Sequence, residues 1–331
     1  MNKKCVLCFI ICSILLGQIY GNSFNLTEKP IFLPAGTDGS KGTEAQYVLF
    51  GDWPQTLKES DVTVEDSKTI INGWECYKGS DDHYYVKVTA APYKDKDIYK
   101  FNDGTSVIKG NEYYFKFEPI KWCIINSNYQ GHKLLLADKA LINSCYYTSY
   151  GDRLIEEHNV LPNNYKYSTI RALLNSLDGS SYNVDDFTTT GFITKGFTKE
   201  AIELIKSVTV DNGDESTADS KNNFSKASDF ASENTTDKIF ILSAKESTSE
   251  DFGFIDYDQF DASKEIDITD YLKAVGGFSI EKDKYLNNSW WWLRSPYYSN
   301  KGFAQCVFYD GSLLSNLVKV PSLCIIPALC L

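Results

Sequence analysis

Histidine and methionine are scarce, with three His and one Met in 331 residues. A histidine-based metal centre therefore has little raw material. The sequence has no G-x-S-x-G elbow, no H-E-x-x-H, no P-loop and no G-x-G-x-x-G, so the common hydrolase, zinc-protease and nucleotide-binding signatures are absent. Basic residues are outnumbered, 33 Lys and Arg against 44 Asp and Glu, for a formal charge of −11. With no basic block anywhere, a nucleic-acid partner is not expected.

What is present is a core-forming composition. Apolar residues make up 43% and aromatics 14%, which excludes a disordered or collagen-like chain. Lys3 and Lys4 precede an apolar stretch from Cys5 to Leu16 broken only by Ser13, and Gly17 to Ser23 is small or polar. This is a secretory signal layout, too short for a membrane span, with cleavage expected after Ser23. The mature chain loses two lysines and no acid, so its charge becomes −13. No second long apolar run follows, so no transmembrane segment is expected after cleavage. Six cysteines remain: Cys76, Cys123, Cys145, Cys306, Cys324 and Cys330. None of these forms a C-x-x-C pair. In an oxidising compartment all six are disulfide candidates, and six allow 15 connectivities. Buried thiols are the other reading.

Residues 24–45 read as a flexible lead-in, and 46–331 as one domain. Tyr47 to Phe50 is a first strand, stopped by Gly51-Asp52-Trp53-Pro54. Strand-like stretches follow at His83 to Thr89, Glu112 to Phe117, Trp122 to Ile125 and Leu134 to Ala137. The period then changes. Ile170, Leu173, Leu174 and Leu177 make a helical stripe behind Ser168, and Ala201, Ile202, Leu204, Ile205 and Val208 make another behind Thr198. Residues 211–237 are polar and read as a long loop insertion. Lys238 to Leu242 is a strand and Tyr271 to Val275 a short helix. The end is all strand and turn, with Asp310-Gly311 as a hairpin turn. Two main helices, a mixed or antiparallel sheet and long loops together predict an α+β fold.

The run Trp290-Trp291-Trp292-Leu293-Arg294 is the most distinctive feature. One reading is an aromatic platform for a sugar or peptide. The other, favoured because large aromatics are mostly interior, is a strand buried on both faces with its indole N–H groups bonded inside. Arg294 either grips an anionic ligand or satisfies a buried carboxylate. Asp256, Asp258 and Asp261 cluster, but the spacing fails as a calcium loop. Tyr257, Phe260, Tyr297 and Tyr298 are the exposed-aromatic candidates for ligand contact. Cys324 and Cys330 offer a copper(I) site as a weak alternative. No catalytic residue and no cofactor is expected.

Taken in order, Tyr47-Val-Leu-Phe-Gly-Asp-Trp-Pro-Gln55, Tyr114-Phe-Lys-Phe-Glu-Pro-Ile-Lys-Trp122, Ser168-Thr-Ile-Arg-Ala-Leu-Leu-Asn175 and Trp291-Trp-Leu-Arg-Ser-Pro296 carry a resemblance. Over residues 46–331 the chain resembles the bacterial exported family known as domain of unknown function 6273 (DUF6273). The Trp-rich strand and closing hairpin are similar to C-type-lectin-like and formylglycine-generating-enzyme-like domains, which implies a lectin-like scaffold. The lectin calcium signatures Glu-Pro-Asn and Trp-Asn-Asp are missing. The ending is Cys324-Ile325-Ile326-Pro327-Ala328-Leu329, where the family is expected to have Gly-Val-Arg-Pro-Ala-Leu. The expected function is an exported cell-surface or secreted protein that binds an extracellular glycan or protein. A structural envelope protein, or a thiol-metal or carboxylate enzyme, is the alternative.

Overall fold

The computed structural model describes residues 26–33, 46–94, 99–155, 157–177, 190–217, 229–254, 260–281 and 283–331. The expected signal segment, Tyr257 and the centre of the 211–237 insertion lie outside the described residues.

Among the described residues the fold is β-rich rather than α+β: 39% strand against 14% helix, with five short helices. This corrects the expectation of two main helices, and the reason is local. The first stripe gives α1 (Thr169–Asn175), capped by the Ser168 hydroxyl, which accepts from the Arg171 N–H at 3.1 Å. It ends where Ser176 turns left-handed at φ 53°. After α2 (Phe192–Gly196), the second stripe gives α3 (Lys199–Leu204), capped by Thr198. Its last apolar position, Val208, already belongs to a strand. Stripes of one or two turns cannot outweigh the sheets around them.

Among the described residues the largest sheet has nine strands. Seven come from the N-terminal part: β1 (Ile31–Phe32), β2 (Tyr47–Leu57), β3 (Val64–Ile71), β4 (Trp74–Gly79), β5 (Tyr84–Thr89), β6 (Glu112–Tyr129) and β7 (His132–Ala137). The stretches Glu112 to Phe117 and Trp122 to Ile125 are one 18-residue strand, β6. Along one edge β6 pairs with β2; along the other, β5 takes its first half and β7 its second. Gly51 does not stop the first strand. It sits at φ 70° where the β2–β6 register shifts, so β2 runs on to Leu57 through a bulge. A Cβ there would lie 2.5 Å from the Phe197 ring.

The remaining strands are β8 (Ile142–Asn143), β9 (Arg153–Ile155), β10 (His158–Val160), β11 (Val208–Val210), β12 (Thr235–Asp237), β13 (Ile239–Phe240), β14 (Trp291–Pro296), β15 (Phe303–Val307), β16 (Leu313–Leu317), β17 (Cys324–Ile325) and β18 (Ala328–Cys330). A five-stranded sheet runs β16-β15-β14-β17-β8, while β13 and β18 extend the large sheet beyond β7. Both sheets bury one continuous core, which includes Trp122, Leu135, Phe240, Trp292, Val307 and Leu329. The insertion is pinched at its base by β11 pairing with β12, and α4 (Asp214–Thr217) follows β11. The short helix α5 (Asp270–Ala274) packs on β2.

The lead-in is partly ordered. Thr27 is buried and clamps Asp52: its N–H donates to Oδ2 at 2.8 Å and its hydroxyl to Oδ1 at 2.9 Å. β1 then pairs with β2, Ile31 opposite Leu49.

Candidate functional site

Strand β14 is buried along its whole length. Trp291 and Trp292 are sealed, their indole N–H groups donating to the Lys264 carbonyl at 3.1 Å and the Ser144 carbonyl at 2.9 Å. They are core, not platform. Arg294 is 1% exposed. Its guanidinium donates to both oxygens of Glu246, at 2.5 and 2.9 Å, and to the Ile241 and Asp211 carbonyls. Burial works to raise the Glu246 carboxyl, but the Arg294 charge and its hydrogen bonds reverse this and hold it below the ordinary range. Arg294 thus staples β14 to the chain following β13 and to the neck of the insertion. Nothing of it is offered to a surface ligand.

The six described cysteines form no disulfide. Cys76, Cys306, Cys324 and Cys330 are buried, and Cys123 and Cys145 half-buried. Burial pushes the Cys324 and Cys330 thiols up to about 12, away from the thiolate that binds a soft metal. The two also sit on different sheets. Among the described residues no group of three or more His, Cys, Asp or Glu is placed to hold a metal.

Of the aromatic candidates, Tyr297 and Tyr298 are half-buried with ring centroids 4.9 Å apart. They stand at the end of β14, where Tyr297 also meets Phe303. Phe260 is 77% exposed. Its position is set by Gly311 in the β15–β16 turn, at φ 78°, where a Cβ would lie 2.0 Å from the Asp261 carbonyl oxygen. Only glycine permits that approach, and it seats the Asp261 backbone, next in the chain to Phe260, against the turn.

Around this turn two sets of ring contacts form an aromatic apron. Trp290 stacks on Phe308 at 4.1 Å and 6°. Phe278 packs on Trp290 at 4.8 Å, and Tyr93 on Phe278 at 5.2 Å. Tyr285 meets Tyr309 at 5.1 Å. Tyr93 and Leu286 are 48% and 52% exposed, so the apron has a solvent-facing apolar rim. Two lysines edge it, with Lys94 5.3 Å from the Phe278 ring centre and Lys284 4.5 Å from that of Tyr285. The Trp290 indole N–H has no hydrogen-bond partner among the described residues. From sequence, Phe260 and Trp290 were visible as candidates. Tyr93, Phe278, Tyr285, Leu286 and Phe308 were not, although Phe308-Tyr309 directly before an Asp-Gly turn is a signal that large rings stand at a surface hairpin.

The fold is a β-rich one built on two large sheets, with the aromatic apron standing at the β15–β16 turn of the smaller of them. The chain belongs to the family described as domain of unknown function (DUF6273), whose profile matches residues 130–331. No curated protein and no solved structure matches it.

Proposed function

We propose that the chain is an exported bacterial protein, displayed at the cell surface or secreted, that binds a partner through the apron around the β15–β16 turn. The signal layout at residues 1–23 supports export. The observation that carries the binding reading is Phe260, 77% exposed and next in the chain to the Asp261 backbone that seats on the turn, with Leu286, 52% exposed, next in the chain to Tyr285 of the apron. Exposed apolar patches of this kind mark interaction surfaces. Of an extracellular glycan and a protein, the apron fits a protein better, because Leu286 and Phe260 offer area without hydrogen-bonding groups. The mature charge of −13 disfavours an anionic polymer.

The test is an array of glycans and extracellular proteins probed with residues 24–331, with calcium and with chelator. Saturable binding that survives chelation and weakens about tenfold or more in Phe260→Ala with Leu286→Ala supports the reading, since burying one large apolar side chain is worth about 1.5–3 kcal/mol. Binding that ignores both substitutions, or a blank array from folded protein, overturns it; the blank array favours a structural envelope role.

A further inference from the structure

Away from the apron surface, a group of ionisable side chains surrounds Lys273 on α5. Lys273 is fully buried. Its Nζ lies 2.5 Å from the side-chain carbonyl oxygen of Asn287, 2.6 Å from the Lys100 carbonyl oxygen and 3.4 Å from Glu281 Oε1. The Tyr99 ring is 5.8 Å away. Asp267 and Asp270 also face the amine electrostatically. Asp270, however, is committed to the N–H groups of Leu57 and Asn102. Glu281 is held by the Ser279 hydroxyl at 2.5 Å and by the Lys100 N–H at 3.2 Å. Asn287 is pinned from both sides: its N–H donates to the Ile280 carbonyl at 2.8 Å, and its carbonyl accepts from the Ile268 N–H at 3.1 Å. It sits at φ 74°, a left-handed backbone that few side chains tolerate.

An amine, a carboxamide and a carboxyl are thus fixed together, with Lys273 and the Glu281 side chain buried and Asn287 half-buried. Since a C=O bond is about 1.2 Å long, the Asn287 carboxamide carbon lies within about 3.7 Å of the amine, close to a reacting distance. We propose that Lys273 and Asn287 join through a self-formed amide bond, with Glu281 carrying the proton. The Nζ lone pair attacks Cγ of Asn287, making the Nζ–Cγ bond. Glu281 takes a proton from the amine and returns it to Nδ2, the Cγ–Nδ2 bond breaks, and ammonia leaves. No oxidant, reductant or cofactor enters the balance. Burial favours the neutral amine that this attack requires, lowering the Lys273 amine from its ordinary value against the opposing pull of Glu281. The bond would close residues 273–287, the segment that carries Phe278, Tyr285 and Leu286 of the apron, in a fold where none of the six described cysteines forms a bridge. It stands independently of whatever the apron binds.

The experiment is peptide mass mapping of the full chain after denaturation and trypsin digestion, which needs no folded variant for its main result. The linked protein resists cleavage at Lys273 and yields residues 265–282 joined to residues 285–294, about 17 Da lighter than the two fragments together, the mass of ammonia. Separate, full-mass fragments from the wild-type chain overturn the proposal. Glu281→Gln is expected to give unlinked fragments while retaining a cooperative unfolding transition. If Glu281→Gln links as fully as the wild type, the proton-carrying role of Glu281 is refuted.

Discussion

Replacing Asp52 with Asn tests whether the N-terminal strap is a working part of the fold. Asp52 is 2% exposed. Burial pushes its carboxyl up from 3.8 to about 6, Glu28 adds to the rise, and the two Thr27 hydrogen bonds offset only part of it. A carboxyl that binds its proton more tightly folded than unfolded favours the native state below about pH 4. That advantage fades as pH rises through about 6, and above this the buried charge costs about 3 kcal/mol. Asn keeps one oxygen to accept from Thr27 and carries no charge. Urea unfolding of both proteins should therefore give similar stabilities near pH 4. By pH 7.5 Asp52→Asn should be the more stable, by up to about 3 kcal/mol, with most of the divergence between pH 4 and 6.5. A difference that stays constant across this range would refute the argument, because it would mean that Asp52 titrates alike in both states.

The Arg294–Glu246 staple predicts an asymmetry. Glu246→Leu leaves a buried guanidinium unpaired and should cost about 3–5 kcal/mol, whereas Arg294→Met combined with Glu246→Leu should cost clearly less than the sum of the single changes; urea unfolding of all four proteins measures it. The thiols of Cys76, Cys324 and Cys330, each pushed up to about 12 by burial, should react with a thiol reagent at pH 8 only after unfolding, and a reductant should leave the melting temperature unchanged. A large drop on reduction would contradict the thiol assignment.

What the sequence disclosed was mostly local. The hairpin at Asp310-Gly311, the helix caps Ser168 and Thr198, and the interior placement of Trp291 and Trp292 all follow from neighbours in the chain, and each has its counterpart in the fold. Helix length was misjudged because an i, i+3, i+4, i+7 stripe looks the same whether the chain continues as helix or turns into β11 at Val208. Gly51 was misjudged because a left-handed glycine serves equally in a strand end and in a bulge; only the close approach of Phe197 distinguishes them. Partners far apart in sequence were not legible at all. Arg294 finds Glu246 48 residues away, and Asp52 finds Thr27 across 25. The apron draws on Tyr93, Phe278 and Phe308, which the sheets bring together and no spacing rule connects.

The last two strands occupy interior positions. β17 lies between β14 and β8, and β18 between β13 and β7, while the Leu331 and Lys133 backbones bond each other in both directions at 3.0 Å. Neither sheet is complete without residues 324–330: a chain lacking them leaves the facing edges of β7, β8, β13 and β14 open to water. One short segment thus seals four strand edges at once, and its loss would turn paired backbone into sticky, unpaired edge.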